Sequence, residues 1–219
     1  MQKTKLTLAA AALLTLLPML QGCVPVIVGG AAAGVMSAHD RRSTGTQTDD
    51  ETTEWKAGRG VPAQYKEISH VNFTSYNRRV LITGEVPSEE AKSAIEAETR
   101  KIEGVREVYN ELGIGPASSL GSRSTDSYID SKVKARLVDS NQISANHVKV
   151  VTERAIVHLM GLVSAREAKV AVDVARTTAG VKKVVNVLEV IGDDEARRLD
   201  NQVLGARTAP PATAPVENR

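Results

Sequence analysis

Two stretches of the chain repeat the same alternation of apolar and polar positions. Residues 71–76 and 79–85 are short runs rich in β-branched and apolar residues on either side of the polar pair Asn77-Arg78. Runs of this kind around a two- or three-residue turn predict a β-hairpin. Residues 148–152 and 156–162 repeat the pattern. The sequence therefore predicts one hairpin in each half of the chain.

A helix and a third strand follow each hairpin. In the first stretch Ser88 is a favourable N-cap, and apolar residues recur behind it at helical spacing. Gly104 and Gly180 stand where glycine commonly follows the C-terminus of a helix. Apolar and β-branched runs at residues 105–114 and 181–191 then predict the closing strands.

A leading helix is predicted ahead of the second hairpin. Residues 124–138 place apolar side chains on one face, with lysine and arginine around them. Residues 50–67 hold the corresponding place ahead of the first hairpin, but Gly58, Gly60 and Pro62 disfavour a helix interior. Each unit is therefore predicted as α-β-β-α-β, with a short or degenerate leading helix in the first. The fold class is α+β, with helices packed on a small mixed three-stranded sheet.

The two stretches align residue by residue. Residues 71–114 match residues 148–190 at a shift of 77, which falls to 76 after one extra residue in the first helix. The shared order of strand, glycine, helix, glycine and strand indicates a duplication. Gly84 and Gly161 occupy the same strand position in both copies, where glycine indicates a close backbone approach or a bulge. The matched residues of the first copy also include Val80, Val86, Glu90, Ala91, Lys92, Ala94, Gly104, Val105, Val108, Asn110 and Leu112.

The N-terminus has the pattern of a bacterial lipoprotein signal. Lys3 and Lys5 precede an apolar run at residues 6–20, shorter than the roughly 20 residues that a membrane-spanning helix needs. The run ends in Leu20-Gln21-Gly22-Cys23, which predicts a signal peptide at 1–22 and acylation of Cys23. The alternative is an ordinary secreted protein with a free thiol, which would be a liability in an oxidising compartment.

Charge excludes one class of partner. Removing 22 of the 219 residues leaves 197, with 26 basic and 26 acidic side chains, so no nucleic-acid partner is expected. The charge is uneven, because residues 49–115 carry 9 basic and 13 acidic residues, a net charge of −4. Residues 124–191 carry 10 basic and 7 acidic residues, a net charge of +3. The second copy is therefore the one suited to an anionic surface.

No pattern in the sequence predicts a catalytic or metal site. His39, His70, His147 and His158 are scattered without the spacing of metal ligands. The sequence also lacks a Gly-x-Ser-x-Gly nucleophile turn, a phosphate-binding glycine loop and a dinucleotide fingerprint. The chain is therefore expected to be non-enzymatic, without a metal or cofactor.

The repeated unit resembles the BON domain. The resemblance rests on the glycines of Leu81-Ile82-Thr83-Gly84-Glu85-Val86 and Leu159-Met160-Gly161-Leu162-Val163, and on the closing pattern Gly-Val-x-x-Val-x-Asn. With the acylation signal, residues 20–191 resemble a family of dual-BON outer-membrane lipoproteins. Prolines among alanine and threonine predict a disordered tail. The expected organisation is a lipidated N-terminus and linker at 23–48, BON domains at 49–115 and 124–191, and the tail at 192–219.

The resemblance implies a function at the membrane. It implies a periplasm-facing protein of the outer membrane, and Val24 after the acylated cysteine agrees by resemblance with sorting to that membrane. Such proteins bind anionic phospholipid, especially phosphatidylglycerol, and support outer-membrane integrity, in association with division sites. Their lipid contact lies on the first helix of the second BON domain. The corresponding residues here are Tyr128, Ile129, Lys132, Val133, Arg136 and Leu137.

The residues also allow a second interpretation of the function. An apolar helical stripe usually packs on its own sheet, and flanking lysines usually form a solvated face. On that reading the protein is a periplasmic adaptor for envelope-assembly or cell-wall-remodelling machinery, and the helix at 124–138 is buried or faces a partner. The sequence does not determine the oligomeric state or whether the two units pack together.

Overall fold

A computed structural model of the protein describes residues 40–208, with side chains to residue 202. The predicted signal peptide and Cys23 lie outside the described residues. Within residues 40–208, no helix is both long and apolar enough to cross a membrane. The first half contains α1 (Thr44–Gly60), α2 (Ala63–Lys66), β1 (His70–Tyr76), β2 (Arg79–Val86), α3 (Glu89–Arg100), β3 (Glu107–Asn110) and β4 (Gly113–Ile114). The second half contains α4 (Leu120–Ser140), a 3₁₀ turn (Ala145–His147), β5 (Val148–Glu153), β6 (Ile156–Ser164), α5 (Ala165–Arg176), β7 (Lys183–Ile191) and α6 (Asp193–Thr208).

Each half forms a small mixed sheet around its second strand. β1 pairs antiparallel with β2, while β3 and β4 pair with β2 in parallel. In the second half β5 is antiparallel to β6, and β7 is parallel to it. Parallel neighbours require a crossover, which α3 and α5 supply. The predicted α+β fold of two α-β-β-α-β units is confirmed.

Both hairpins turn through two residues in the left-handed region. Asn77 and Arg78 have φ angles of 52° and 66°, and Arg154 and Ala155 have φ angles of 52° and 61°. Two consecutive positive φ angles define the type I′ turn, whose twist matches that of the flanking strands. Asn-Gly is the favoured sequence for this turn, so non-glycine residues here need support from elsewhere in the fold.

A buried aspartate from each leading helix supplies that support. Asp50 of α1 accepts hydrogen bonds from the backbone N–H groups of Asn77 (2.7 Å) and Arg78 (2.9 Å). Asp126 of α4 accepts the equivalent bonds from Arg154 (3.0 Å) and Ala155 (2.7 Å). The aspartates are 2% and 5% exposed. They lie 76 positions apart, so the duplication extends into the leading helices.

The leading helix of the first domain is complete. Ser43 caps it by accepting a hydrogen bond from the N–H of Thr46 at 3.1 Å. Gly58 and Gly60 fall in its last turn and Pro62 follows it, so these residues end the helix rather than interrupt it. The helix also begins inside the segment expected to be linker, which is therefore shorter than predicted.

The predicted disordered tail is helical over its first part, which corrects that expectation. α6 begins directly after Gly192, and Asp193, Asp194 and Glu195 in its first turn suit the positive end of the helix dipole. Ala196 is 4% exposed, so the helix is docked rather than free. The prolines that indicated disorder all follow residue 208 in the sequence.

The two sheets pack against each other through the faces that their own helices leave free. In β2, Val80 and Ile82 pack in the core of the first domain, whereas Leu81 points to the opposite side. In β6, Leu159 packs in the second core and Met160 points to the opposite side. The buried residues of the shared inter-sheet cluster are Tyr76, Leu81, Met160, Leu162 and Val187. The two domains therefore pack together, a point that the sequence left open.

Polar contacts border this interface. Glu189 of β7 accepts a hydrogen bond from the side-chain amide of Asn77 at 2.8 Å and lies 3.5 Å from Arg79 Nε. On another border Lys149 Nζ lies 2.9 Å from Glu54 Oε1. These pairs join the first domain to the second and fix the alignment of the sheets.

Gly84 and Gly161 lie where a neighbouring backbone leaves no room for a side chain. A Cβ atom on Gly84 would overlap the carbonyl oxygen of His70, and one on Gly161 would overlap that of His147. Gly84 also has a φ angle of 115°, which side-chain-bearing residues rarely adopt. The close approach of two backbones therefore explains why both repeats carry glycine here.

Replacing Gly84 with alanine is expected to destabilise the protein. The backbone conformation alone should lower the free energy of unfolding by about 1–3 kcal/mol, and the overlap with His70 adds to this. Urea unfolding of the fragment Met36–Arg219, which forms one compact unit, measures the change. Gly58→Ala is the matched control, because the added Cβ meets nothing within 4 Å and alanine favours the helix. Equal stabilities of the two variants would contradict the close approach.

Candidate membrane-binding surface

The candidate lipid-binding residues lie on two opposite sides of α4. Ile129, Val133 and Leu137 are 3%, 0% and 0% exposed, and they pack in the core of the second domain. A side chain without exposed surface cannot contact lipid while the domain stays folded. The structure therefore corrects the assignment of these three residues, because they form the stripe by which α4 packs on its own sheet.

Tyr128 faces away from the core and is the exposed aromatic side chain of α4. It is 64% exposed, and Lys132 Nζ lies 4.7 Å from the centre of its ring. The same ammonium group donates a hydrogen bond to the backbone oxygen of Ala179. A cation held over an aromatic face is a favourable pair at a surface. An apolar ring with a polar hydroxyl suits a membrane–water interface.

Arg136 is exposed but held in place. Its guanidinium donates to the backbone oxygen of Val174 at 3.0 Å and to the hydroxyls of Thr178 at 2.7 Å and Thr177 at 3.0 Å. These acceptors surround the C-terminus of α5, where the helix dipole favours a cation. The loop that follows carries two further exposed lysines, Lys182 and Lys183. The flank of α4 is therefore a fixed positive border.

The remaining outward positions of α4 are mostly small or apolar, with one carboxylate, Asp139, which is exposed and lies about 20° from Tyr128 around the helix axis. Successive helix residues are about 100° apart around the axis, so Ser131 and Ala135 point in nearly the same direction as Tyr128. Both are exposed, and Val138 farther along is 59% exposed. We call this surface the outer face of α4; it consists of Tyr128, Ser131, Lys132, Ala135, Val138 and Asp139. It combines an aromatic ring, low side-chain bulk and one carboxylate with the positive charge of Lys132 and of neighbouring Arg136.

The chain enters the described region beside this surface. Asp40 and Arg42 line a cavity of about 420 Å³ together with Lys134 and Val138 of α4. The guanidinium of Arg42 lies 3.8 Å from the centre of the Tyr76 ring, which keeps the segment in place. Asp40 follows Cys23 by 17 residues in the sequence. The first described residues therefore lie across this cavity from the C-terminal half of α4.

Arg41 holds this incoming segment to the second domain. It is 5% exposed and donates to the backbone oxygen of Leu162 at 2.9 Å. It also makes two hydrogen bonds with Glu167 (2.7 and 3.0 Å) and two with Asp200 of α6 (2.8 and 2.9 Å). Two carboxylates around one buried guanidinium form a charge-assisted network. The sequence gives no sign of this network, because the three residues are far apart in the chain.

The network also determines how Glu167 titrates. Burial opposes ionisation, but the nearby His147 Nδ1 at 3.5 Å and hydrogen bonds from Arg41 and the backbone N–H of Ser164 outweigh it and hold the pKa of Glu167 well below its usual range. A carboxyl group whose pKa is lower in the folded state stabilises the fold above its unfolded-state pKa. The stabilisation from Glu167 is therefore present at neutral pH and is lost progressively as the pH falls below about 4.5.

The chain belongs to the BON-domain family, because the BON domain model matches residues 49–116 and 125–192. It is 42% identical over 174 residues to the outer membrane lipoprotein DolP of Haemophilus influenzae, a match that covers 78% of this chain and 90% of that protein. It is 37% identical over 154 residues to a 21 kDa hemolysin of Actinobacillus pleuropneumoniae, covering 69% and 79% of the two chains. The protein is thus a dual-BON chain that resembles an outer-membrane lipoprotein over most of its length.

Among solved structures, the chain has some likeness to CdsD of the Chlamydia trachomatis type III secretion system. The TM-score is 0.29 at 13% identity, with 72% of this chain and 98% of that chain covered. A likeness this weak carries no functional argument.

Removing the cation of the incoming segment is expected to destabilise the protein. Arg41→Met leaves two carboxylates without their buried partner, so the free energy of unfolding should fall by about 3 kcal/mol. This value is at the low end for a broken buried pair, because the Asp200 side chain is 38% exposed. Arg197→Met is the control, since Arg197 pairs with Asp194 at the surface and should change stability by less than about 0.5 kcal/mol. If urea unfolding of Met36–Arg219 shows equal midpoints for both variants, Arg41 does not anchor the segment.

Proposed function

We propose that the protein is a non-enzymatic lipoprotein of the outer membrane that binds anionic phospholipid, phosphatidylglycerol in particular, through the outer face of α4. Acylated Cys23 is the anchor, and the folded domains face the periplasm. The observation that carries the proposal is the exposure of Tyr128 beside a fixed lysine, on the helix where the family resemblance implies lipid contact. The similarity to the Haemophilus influenzae outer membrane lipoprotein supports the location.

Electrostatics supports the choice of an anionic lipid. Lys132 lies in the outer face and Arg136 lies beside it, and the second domain carries the net charge of +3. A lysine or arginine near an anionic membrane surface contributes about 1 kcal/mol. Two or three such residues and one interfacial tyrosine give a weak contact by themselves. The contact is strengthened when the protein is already held at the membrane.

The tether supplies that condition. A second contact within one anchored molecule acts at high effective concentration, so a weak contact is enough to orient the domains. Asp40 and Arg42 line a cavity with Lys134 and Val138 of α4, so the first described residues lie beside the outer face. The protein would then gather at patches rich in anionic lipid and support outer-membrane integrity there, division sites included.

A second candidate function rests on the first domain. Trp55 of α1 is 61% exposed, and the guanidinium of Arg59 lies 4.4 Å from its ring centre. Exposed tryptophan and arginine are enriched at protein–protein interfaces. This pair favours an adaptor that binds a periplasmic envelope protein through α1. The adaptor role predicts that Trp55→Ala impairs detergent resistance of cells while lipid binding is unchanged; unchanged resistance would count against it.

Selective binding to anionic vesicles is the expected result for the lipid-binding function. The fragment Met36–Arg219, which lacks the acylated cysteine, should float with phosphatidylglycerol vesicles and stay behind with phosphatidylcholine vesicles. Tyr128→Ala removes the interfacial ring, and Ala135→Glu places a negative charge at the centre of the outer face. Each change should weaken vesicle binding about fivefold, the equivalent of about 1 kcal/mol. Binding should also weaken as salt rises.

Trp55→Ala is the matched control, because it removes an aromatic side chain of nearly equal exposure from the other leading helix. It should float like the unmodified fragment. Leu137 is unsuitable for this test, since it is fully buried and a charge there would unfold the domain. If the folded fragment does not float, or if Trp55→Ala alone abolishes flotation, the outer face of α4 is not the lipid contact.

A further inference from the structure

A histidine and two glutamates from different domains meet at one edge of the sheet interface. His70 begins β1, Glu85 lies in β2 of the same domain, and Glu153 ends β5 of the other domain. One ligand atom from each lies within 4.8 Å of the other two. Glu85 and Glu153 are 3% and 7% exposed. Their spacing in the sequence gave no sign of this cluster, since the packing of the two sheets creates it.

The buried carboxylates have fewer donors than two charges require. Glu85 Oε2 accepts a hydrogen bond from the backbone N–H of Ser118 at 3.0 Å and lies 3.2 Å from His70 Nδ1. Glu85 Oε1 is buried with no hydrogen-bond partner in the described part of the chain, and Arg154 Nε lies 3.8 Å from it. Arg154 is too distant for a hydrogen bond, and buried carboxylate oxygens normally accept one, so Glu85 Oε1 is able to bind a further ligand.

Glu153 is in a similar position. The side-chain amide of Asn72 donates to Glu153 Oε2 at 3.3 Å and also lies 3.4 Å from His70 Nε2. The ligand atoms of Glu153 and Glu85 lie within 4.8 Å of each other, and two buried carboxylates this close are stabilised when a cation lies between them.

We propose that His70, Glu85 and Glu153 bind a divalent transition-metal ion, with Zn²⁺ as the representative, and that the ion joins the two BON domains. Imidazole nitrogen and carboxylate oxygen are zinc ligands at about 2.0–2.2 Å, which places two ligand atoms of a tetrahedral site about 3.3 Å apart. His70 Nδ1 and Glu85 Oε2 are already 3.2 Å apart. Mg²⁺ and Ca²⁺ favour sites made of oxygen, so the histidine selects against them.

The open coordination positions have a place for water. His70 and Glu153 line a cavity of about 430 Å³ together with Asp126 and Asp130. Asp126 is engaged by the hairpin turn and Asp130 by Lys134, so neither is needed as a ligand. Two atoms of the lining residues, Asp130 Oδ1 and Thr152 Oγ1, are buried with no hydrogen-bond partner among residues 40–202. They supply polar partners for metal-bound water.

The site belongs to the interface rather than to the BON repeat. The residue that matches Glu85 in the second copy is Leu162, which lies in the shared apolar cluster. A metal ion bound by both domains stabilises their docked arrangement in proportion to its occupancy. This role is independent of lipid binding by α4.

Zinc titration of tag-free Met36–Arg219, stripped of metal with a chelating resin, tests the site. Calorimetry should show one Zn²⁺ bound per chain, and the midpoint of thermal unfolding should rise with zinc concentration. His70→Asn and Glu153→Gln should each weaken zinc binding at least about tenfold, since even indirect changes at metal sites have effects of that size. Glu107→Gln, a carboxylate that pairs with Arg79 away from the cluster, should bind zinc like the unmodified fragment.

Two results would overturn the site. The first is a folded, unmodified fragment that takes up no zinc and shows no rise in its unfolding midpoint. The second is equal zinc binding by His70→Asn, Glu153→Gln and the unmodified protein, with circular dichroism showing that all three are folded. Equal responses to Mg²⁺ and Zn²⁺ would also count against it, because a histidine ligand should separate the two ions.

Discussion

The packing of one sheet against the other is the constraint on which the rest of the structure depends. Each sheet covers one face with its own helices and the other face with the partner sheet, so the central strands β2 and β6 are buried on both sides. Leu81 and Met160 are 0% and 1% exposed in the middle of this contact. Full burial of such a side chain contributes about 1.5–3 kcal/mol, so separating the domains would expose a large apolar surface. The helices are consequently left on the outside of the molecule.

The duplication conserves the framework while the surfaces differ. Both copies keep the left-handed turn, the aspartate that holds it and the glycine at the close backbone approach, since each satisfies a backbone requirement of the hairpin. The outward residues of the leading helices carry no such requirement. α4 exposes a tyrosine among lysine and small residues, whereas α1 exposes a tryptophan in a domain of net charge −4. One framework therefore presents two different outward surfaces.

Local features of this fold could be predicted from the sequence, and tertiary ones could not. The strands, the N-cap at Ser88 and the role of Gly84 could be predicted, because each depends on residues close by in the sequence. The leading helix of the first domain was underestimated, because Gly58 and Gly60 disfavour a helix interior but are tolerated at its end. α6 was missed because its stability comes from contacts such as Asp200 with Arg41, which are distant in sequence.

In the candidate site, too, the local features could be predicted from the sequence and the tertiary ones could not. The sequence predicts the helix and includes Tyr128 among the candidates. It does not distinguish the apolar residues that face the sheet from the residues that face outward. An apolar stripe has the same pattern whether it packs on a sheet or contacts lipid. The lipid assignment is therefore wrong for the three residues that the sheet covers, Ile129, Val133 and Leu137. The cluster of His70, Glu85 and Glu153 lay beyond prediction because the packing of two domains brings it together.

Fluorescence of a single tryptophan at position 128 tests the central claim most directly, namely that the sheets direct the outer face of α4 to the membrane. In the fragment Met36–Arg219 with Trp55→Phe and Tyr128→Trp, emission should shift to the blue and be quenched by brominated phosphatidylglycerol, with no change in phosphatidylcholine. The unmodified fragment keeps Trp55 as its one tryptophan, on the other leading helix, and its emission should not change. Quenching of Trp55 with none at position 128 would contradict the account.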